Sequence, residues 1–424
     1  MSGPSSRPPA VTLDDIRAAA DRIRPAILRS PCPVSVPLSD LTGARVSCKL
    51  DLLQRTGSFK ERGACNALMQ LDGSQRARGV VAASAGNHAL GLAWHGKLLG
   101  IPVTVVMPRF APLVKVATCR RLGATVILDG ETFDDARRLA VEIAARDGLE
   151  RIHGFDDPRV IAGQGTMALE ILEDVPDAEV LVVPTGGAGL LAGVATVAKT
   201  LRPGIRIVAV EAAAAPSFSA SLAAGRPVQV PIRPTLADGL AVGRVGDLSF
   251  ALAAPLVDRV VTVGEDWLAL AVVRLLELEK TVVEGAAAAA LAALLGDQCP
   301  EVIGRKVVIL LCGGNIDLTI LDRIIDHGLV ADGRRWRFTT QVSDRPGGMA
   351  RLTAAIAAAG ASVREIVHDR AFSGANVFST AVEVTVETSG RDQVTALFER
   401  LRADGFAVVP STAPGAVAAL GGRS

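Results

Sequence analysis

One lysine of the chain stands in a setting that suits covalent chemistry with an aldehyde. Lysine is rare, with seven positions in 424 residues. Lys60 follows Gly57, Ser58 and Phe59 at the predicted start of a helix. A lysine amine in such a place can bond to the carbonyl of an aldehyde cofactor. Taken alone, however, a surface lysine in the first turn of a helix is the more frequent explanation.

A second segment combines an apolar strand with a glycine-rich turn. Val180–Val183 runs into Gly186-Gly-Ala-Gly189, and Leu190–Leu201 is predicted as a helix. Backbone N–H groups at such a helix start bind phosphate. The missing GK[ST] excludes a nucleoside-triphosphate loop, but Gly187-x-Gly189-x-x-Ala192 also matches a loose dinucleotide fingerprint, with Glu211 at the ribose-binding spacing. From these residues alone, NAD, another phosphate ligand and a turn without a ligand all stay open.

Two further polar segments follow predicted strands. Ser84-Ala-Gly-Asn-His88 comes after Val80–Ala83 and opens a helix, so its N–H groups could bind a carboxylate and Asn87 a ring hydroxyl. Simple helix capping would explain the same residues, and we expect His88 to be packed or capping rather than a base. Cys312 ends the apolar run Val307–Leu311, at the edge where ligands bind in parallel sheets. A buried structural thiol is the alternative.

Taken together and in this order, these segments resemble the threonine/serine dehydratases, which are pyridoxal-phosphate enzymes of the tryptophan-synthase-β type of fold. The resemblance extends over about residues 15–330 and outweighs the dinucleotide interpretation. The matching motifs are Gly57-Ser-Phe-Lys60, Ser84-Ala-Gly-Asn-His88, Phe155-Asp-Asp-Pro158, Gly163-Gln-Gly-Thr166, Gly186-Gly-Ala-Gly-Leu190, Leu236-Ala-Asp-Gly239, Glu284-Gly285 and Cys312-Gly-Gly-Asn315.

The resemblance implies a role for each of these residues. Lys60 would carry pyridoxal phosphate covalently and, once released, act as the base for the substrate Cα proton. Phe59 would lie near the cofactor ring, Asn87 would bind its hydroxyl, and Cys312 would face its nitrogen. The phosphate would be held by the N–H groups of Gly186, Gly187, Ala188, Gly189 and Leu190. The substrate would be bound by Ser84, Ala85, Gly86 and His88.

Ala85 bears on which reaction this site performs. The resembling serine racemases place a second serine there to protonate Cα from the face opposite the lysine, and an alanine has no proton to give. The resemblance therefore implies elimination, with L-threonine converted to 2-oxobutanoate and ammonia and L-serine as a side substrate. Elimination from serine or hydroxyaspartate, β-replacement, and a non-catalytic amino-acid-sensing regulator are the alternatives.

Three positions match a cation site of the family, and two others depart from its pattern. Glu211, Ala215 and Ser217 correspond to the cation ligands, and Ser217 in place of an acid favours a monovalent ion such as potassium. The alternative is that Glu211 merely caps the sheet edge. Ala188 replaces a common glycine but keeps its N–H donor. Glu61 stands where an apolar residue is frequent; we expect it to point away from the site, with little effect.

The C-terminal part has a different pattern of elements. The strands Arg335–Ser343, Ser362–Val367, Val377–Val386 and Phe406–Val409 and the helices Gly347–Ala359 and Gln393–Arg402 are predicted in the order βαββαβ. With the turn Asp344-Arg345-Pro346-Gly347, this pattern resembles an ACT regulatory domain. The resemblance implies a homodimer or homotetramer, and feedback inhibition by isoleucine or valine acting through this turn.

Composition and periodicity set the frame for these motifs. Alternating apolar strands and amphipathic helices predict an α/β fold of two lobes with largely parallel sheets, followed by a ferredoxin-like α+β domain. We expect a disordered N-terminus at 1–11, a catalytic domain at 12–330, the ACT-like domain at 334–411 and a flexible tail at 412–424. With 45 basic and 44 acidic residues, nothing points to nucleic acid or a membrane as a partner. Six scattered cysteines and no apolar leader favour a cytoplasmic protein.

Overall fold

The structure, a computed structural model, describes residues 11–111, 113–296, 298–369 and 378–411. The N-terminal segment 1–10, the tail 412–424 and the predicted strand residue Val377 lie outside these ranges. The fold divides between Asp317 and Leu318 into two units. Helix Leu318–Ala331 groups with the second unit because it contacts the strand Arg335–Ser343. The expected boundary at 330–334 differs from this division by that one helix.

The described residues form strands and helices in the following order. The strands are β1 Val34–Ser35, β2 Arg45–Lys49, β3 Val80–Ala83, β4 Val103–Met107, β5 Thr125–Leu128, β6 Glu150–Arg151, β7 Val180–Pro184, β8 Arg206–Ala212, β9 Arg259–Val263, β10 Lys306–Leu310, β11 Arg335–Ser343, β12 Ser362–Asp369, β13 Ser379–Glu387 and β14 Val409–Pro410. The helices are α1 Leu13–Ile23, α2 Val36–Thr42, α3 Lys60–Met69, α4 Gly73–Arg78, α5 Asn87–Leu99, α6 Leu113–Arg121, α7 Phe133–Asp147, α8 Pro158–Asp174, α9 Gly189–Leu201, α10 Ser217–Ala224, α11 Asp247–Ala253, α12 Glu265–Leu278, α13 Gly285–Leu295, α14 Leu318–Ala331, α15 Gly348–Ala358 and α16 Arg391–Ala403.

Two parallel sheets carry the first unit, as the sequence predicts. The larger has the strand order β1-β2-β10-β7-β8-β9 and is parallel except for the β1–β2 pair. The smaller has the order β5-β4-β3-β6 and is entirely parallel. All of β7 is buried, which explains its unbroken apolar run. The segments after β3, β7 and β10 leave the sheets at their carboxyl ends.

Helix α3 is enclosed in this unit on every side. All residues from Glu61 to Leu68 are buried, the charged Glu61 and Arg62 included. The helix contacts α1, α5 and α8. A helix without a solvent face must find partners for its polar side chains inside the protein.

The second unit confirms the predicted βαββαβ order. Its antiparallel sheet has the order β12-β13-β11-β14, and α15 and α16 contact each other. The last strand is shorter than predicted, because Phe406 and Val408 pack against the core and only Val409 and Pro410 pair with β11. None of the described helices combines the length and apolar character needed to cross a bilayer.

Candidate active site

A cavity of about 1150 Å³ lies at the carboxyl ends of β3 and β7 and beside the segment that follows β10. The cofactor and substrate residues predicted from the sequence all line it, namely Phe59, Lys60, Ser84, Ala85, Gly86, Asn87, His88, Gly186, Gly187, Ala188, Gly189, Leu190 and Cys312. These residues come from four separate segments. The fold therefore brings them together, while their individual roles remain predictions.

Lys60 is the first residue of α3 and is half-buried. Its Nζ donates a hydrogen bond to the Gly154 carbonyl oxygen at 2.7 Å and lies 5.1 Å from the centroid of the Phe59 ring. Burial lowers the pKa of this amine to about 8, although Cys312 and Glu284 act in the opposite direction. A lysine with this pKa has an appreciable neutral fraction near physiological pH, which a nucleophile or base requires.

The loop before Lys60 is fixed by the segment that follows β10. The Phe59 N–H donates to the Cys312 carbonyl oxygen at 2.9 Å. The Asn315 amide donates to the Thr56 carbonyl oxygen at 2.6 Å. The end of β10 thus holds the backbone that presents the lysine, and Asn315 is a residue to which the sequence analysis gave no role.

Two features give the glycine-rich turn, residues 186–190, its shape. A Cβ on Gly187 would lie 2.3 Å from Cγ of Phe155, so only glycine leaves room for this ring. Ala188, at the N-cap of α9, adopts a left-handed conformation with φ of +68°. The N–H groups at the start of α9 have no hydrogen-bond partner within the helix. They lie at the positive end of the helix dipole.

Asn87, which lines the cavity, belongs to a chain of side-chain hydrogen bonds. Its Nδ2 donates to Glu284 Oε1 at 2.8 Å, and its Oδ1 accepts from Asn315 Nδ2 at 2.9 Å. Glu284 is buried, and burial, reinforced by Asp238, raises the pKa of its carboxyl to about 7. Glu284 belongs to one of the motifs matched in the sequence but had no predicted role, and its neighbour Gly285 opens α13.

His88 and Cys312 are both buried in neutral form. Burial lowers the pKa of His88 to about 3, and its Nε2 lies 3.3 Å from the Ile152 carbonyl oxygen. This agrees with the expectation of a packed histidine rather than a base. Burial raises the pKa of the Cys312 thiol far above its usual range. A protonated thiol is a neutral neighbour for whatever ring occupies the cavity.

Comparison with known protein families shows the family to which the chain belongs. The family model described as "Pyridoxal-phosphate dependent enzyme" matches residues 23–313, the stretch that contains every cavity segment. The chain belongs to the pyridoxal-phosphate dependent enzymes. The resemblance to this family that the sequence motifs indicated is thereby confirmed.

Curated relatives and solved structures of this family are similar over most of the chain. An L-threonine ammonia-lyase of Thermotoga maritima is 44% identical over 94% of this chain and 99% of its own length. A catabolic L-threonine dehydratase of Escherichia coli is 41% identical over 74% of this chain and 96% of its own length. The structure of maize serine racemase superposes with a TM-score of 0.72 at 36% identity, covering 76% of this chain and 99% of the racemase.

The residues present fit pyridoxal phosphate. A half-buried amine with a lowered pKa suits an aldehyde, and a glycine-lined helix start suits a phosphate. Both line the same cavity, together with the neutral Cys312 thiol. The cofactor of this family and the geometry of this chain therefore agree.

The expected cation ligands lie outside the cavity lining. Glu211 is on β8, an inner strand between β7 and β9, so it does not cap a sheet edge. Its carboxylate accepts from the N–H groups of Phe218 and Ser219 at 2.6 and 2.9 Å, at the start of α10. The Ser217 hydroxyl is buried without a hydrogen-bond partner. Among the described residues, no three His, Cys, Asp or Glu side chains come together as a metal cluster.

Glu61 does not line the cavity, which agrees with the expectation that it points away from the site, and its expected small effect stays a prediction. The side chain is 1% exposed and is packed inside the protein, where its carboxylate accepts a hydrogen bond from the Thr56 N–H and contacts His95. Because α3 has no exposed face, the Glu61 side chain turns into the protein interior and finds its partners there.

The predicted regulatory residues form the turn from β11 to α15 in the second unit. The Asp344 N–H donates to the Phe378 carbonyl oxygen at 3.0 Å, and the Arg345 guanidinium lies 5.6 Å from the Phe378 ring centroid. Pro346 follows, and Gly347 is the N-cap of α15 in a left-handed conformation. The turn is therefore anchored to the residue just before β13, and its predicted effector role stays a prediction.

Proposed function

We propose that this enzyme eliminates the hydroxyl group of L-threonine and releases 2-oxobutanoate and ammonia, with L-serine as a second substrate. In the elimination, the Cα–H and Cβ–O bonds break, and the hydroxyl leaves as water. Hydrolysis of the resulting enamine then consumes water and frees ammonia. The near-full-length relative named as an L-threonine ammonia-lyase supports this choice.

The observation that carries the proposal is the placement of Lys60. Its amine faces the same cavity as the glycine turn and as Asn87, and its pKa is lowered to about 8. We assign to Lys60 both the covalent attachment of pyridoxal phosphate and, when its amine is free, removal of the substrate Cα proton. When bound, the cofactor supplies a sink for the electron pair left at Cα.

The remaining residues are assigned to holding and orienting the cofactor. The N–H groups of residues 186–190 are assigned to the phosphate, and Asn87 to the ring hydroxyl. Asn87 suits this task because Glu284 and Asn315 fix both ends of its amide. Cys312 is assigned to the ring nitrogen, which a neutral thiol leaves unprotonated. Without a positive ring nitrogen, charge at Cα is less stabilised, and prompt loss of the β-hydroxyl is favoured.

The substrate carboxylate is assigned to the segment Ser84–His88. This segment precedes and opens α5, so its N–H groups lie at a helix start. Ala85 offers no proton to the face of Cα opposite Lys60. The proposal therefore favours elimination over racemisation, even though a serine racemase is among the similar structures.

The direct test is turnover by the purified, cofactor-loaded protein. We expect 2-oxobutanoate from L-threonine and, more slowly, pyruvate from L-serine, with no D-isomer accumulating. A panel with hydroxyaspartate at matched concentration separates the other eliminations. Saturable binding of an amino acid without any product would instead favour the regulator alternative.

The proposal includes a monovalent cation, potassium, at Glu211, Ala215 and Ser217. Its support is the unpartnered, buried Ser217 hydroxyl close to a buried carboxylate. Protein exchanged into tetramethylammonium buffer should lose activity and regain it on addition of potassium chloride. Equal activity in both buffers would remove the cation from the proposal.

The proposal also includes homo-oligomers and inhibition by isoleucine or valine through the turn 344–347. Its support is the edge strand β12, whose Val363 and Val367 are 39% and 49% exposed, since paired edge strands would cover such side chains. Light scattering tests the first part. Rate measurements on the full chain with each amino acid test the second, and Arg345→Ala should weaken the response. A rate indifferent to both amino acids would exclude them as effectors.

We also propose a cytoplasmic location. The buried thiols Cys48, Cys65 and Cys119 are unpaired, as is usual for proteins of reducing compartments. Fractionation of the source cells with an antibody against the chain tests this part.

A further inference from the structure

Glu61 and His95 form a buried carboxylate–imidazole pair next to the lysine. Each side chain is only 1% exposed. Glu61 Oε2 lies 3.3 Å from His95 Nε2, so a proton on this nitrogen can be donated to the carboxylate. The pair joins α3, whose first residue is Lys60, to α5, whose first residue is Asn87. Neither residue lines the cavity, and the proposed reaction uses neither.

The other oxygen of the same carboxylate holds the loop that leads to Lys60. Glu61 Oε1 accepts a hydrogen bond from the Thr56 N–H. The Thr56 carbonyl oxygen in turn accepts from Asn315, which also donates to Asn87. The backbone of Thr56 is therefore linked to α5 along two routes, from its N–H through the Glu61–His95 pair and from its carbonyl oxygen through Asn315 and Asn87.

Two further contacts bring α5 close to this loop. The Arg55 guanidinium lies 5.1 Å from the centroid of the Trp94 ring, next to His95 in sequence. A Cβ on Gly91 would lie 3.3 Å from the Lys60 carbonyl oxygen and 3.4 Å from the Glu61 nitrogen, so α5 runs directly against the backbone of the lysine. Small displacements of α5 must therefore shift Asn87 relative to Lys60.

We propose that Glu61 and His95 are positioning residues that set the distance between Lys60 and Asn87. This inference rests on the proposed function, which assigns both residues to the cofactor. Phe59, the residue before Lys60, is hydrogen-bonded to Cys312 just after β10 of the larger sheet, whereas α5 follows β3 of the smaller sheet. The pair thus couples the two halves of the site that belong to different sheets.

Position 61 requires a hydrogen-bond acceptor, and a side chain of similar volume is not enough. An apolar side chain at 61 would fill the space but would leave the Thr56 N–H without its partner and His95 without its acceptor. Unpartnered buried polar groups are unfavourable, and the loop would relax to satisfy them. Glutamine keeps one oxygen for Thr56 and an amide that can pair with the imidazole in its other tautomer. Leucine keeps only the volume.

The test compares Glu61→Gln with Glu61→Leu in the full-length enzyme. We expect Glu61→Leu to weaken pyridoxal phosphate binding about tenfold, measured by titrating the apo protein. We also expect kcat for L-threonine to fall by about tenfold to a hundredfold with a smaller change in KM, because misplacement on the scale of 1 Å costs rates of this order. The visible circular dichroism of the bound cofactor should change in Glu61→Leu and be retained in Glu61→Gln.

A second pair of variants keeps the inference testable if Glu61→Leu folds poorly. His95→Leu leaves the Thr56 hydrogen bond in place, so it should reduce kcat less than Glu61→Leu. The double variant should be no worse than Glu61→Leu alone, because both residues act through one contact. Cys65→Ala is the matched control, since Cys65 is buried on the same helix and does not line the cavity.

Each outcome bears on one of the two proposals. If Glu61→Leu matches the wild type in cofactor affinity, circular dichroism and kcat, the positioning role is wrong. Equal losses in Glu61→Leu, Glu61→Gln and Cys65→Ala would also overturn it, because they would reflect general destabilisation. A further outcome is that the wild-type protein fails to turn over threonine while Glu61→Leu and Glu61→Gln still differ in cofactor affinity and circular dichroism. That result would refute only the proposed substrate.

Discussion

The two sides of the cavity are built from different parts of the polypeptide. On the glycine side, residues 186–190, the functional groups are backbone N–H groups of one continuous segment. On the amine side, Lys60, Asn87, Glu284 and Asn315 are side chains from four segments, and the Asn87–Glu284 hydrogen bond joins residues 197 positions apart. A site made of backbone depends on local conformation, whereas a site made of side chains depends on the whole fold.

The sides also differ in how they handle charge. The amine side contains two titratable groups whose pKa values are shifted toward neutrality, to about 8 for the half-buried Lys60 and about 7 for the buried Glu284. The glycine side has no charged side chain within residues 186–190 and relies on the start of helix α9. Substitutions on the amine side should therefore change activity and pH dependence, and those on the glycine side should change cofactor affinity.

The largest effect is expected from Lys60→Ala. Loss of the amine removes both covalent attachment and the base, so turnover of threonine should fall at least about 1000-fold. The visible absorption of the bound cofactor should be lost with it. Lys97→Ala is the control, because Lys97 is an exposed lysine on α5. Undiminished 2-oxobutanoate production by Lys60→Ala would refute the assignment of the amine side.

Glu284→Gln should change how stability depends on pH. Because burial and Asp238 raise the pKa of Glu284 to about 7, the folded protein favours the neutral carboxyl. In the wild type, the neutral Glu284 carboxyl contributes its full stabilisation of the fold below about pH 4.5, the usual pKa of a glutamate. This contribution is lost as the pH rises through about 7, the pKa in the folded protein. Glutamine is neutral throughout, so its stability relative to the wild type should increase between pH 4.5 and 8, by up to about 3 kcal/mol.

Denaturant unfolding of the cofactor-free protein at several pH values measures this difference. Asn87, Lys115 and Asn315 lower the pKa of the carboxyl, and the value of about 7 already includes their contributions. Glu173→Gln on the exposed surface serves as the control. A stability difference between Glu284→Gln and the wild type that stays constant from pH 4.5 to 8 would contradict the shift.

Gly187→Ala tests the glycine side. The added methyl would meet the Phe155 ring at 2.3 Å, and relieving such overpacking costs about 1–3 kcal/mol. We expect pyridoxal phosphate to bind about tenfold to a hundredfold more weakly, while the pH dependence of turnover at saturating cofactor stays that of the wild type. Gly204→Ala is the control, since nothing lies within 4 Å of a Cβ there. An unchanged dissociation constant for pyridoxal phosphate would show that the turn accommodates the methyl group and would contradict this prediction.

The same contrast explains what the sequence could predict. The glycine turn, the strand before it and the helix after it are local, and the structure has them as β7 and α9 within a residue of their predicted ends. The parallel sheets followed from apolar strands alternating with helices. Segments at the carboxyl ends of such strands share one edge of a sheet, so the cavity lining could be foreseen.

The polar contacts of the amine side could not be foreseen in this way. Whether Glu284 reaches Asn87 depends on the packing of α13 against the sheet, which no local pattern encodes. Glu61 is the clearest case, because it points away from the cavity as expected, yet helix spacing gives no sign of its contacts with Thr56 and His95. The burial of α3 from Glu61 to Leu68 makes this charged neighbour of Lys60 a buried contact.

The smallest effect, and the finest test of the backbone argument, is expected from Ala188→Gly. A left-handed conformation destabilises a residue with a Cβ by about 1–2 kcal/mol, and glycine avoids this strain. The larger conformational entropy of glycine in the unfolded chain offsets part of the resulting stabilisation. With φ of +68° at Ala188, the variant should be more stable by about 0.5 kcal/mol. Cofactor affinity should stay within about twofold, because the N–H donor is kept. Ala198→Gly within the same helix α9 should instead lose about 1 kcal/mol. If both variants lose stability alike, the conformation of Ala188 is not strained, and the glycine side owes its shape to the Phe155 contact alone.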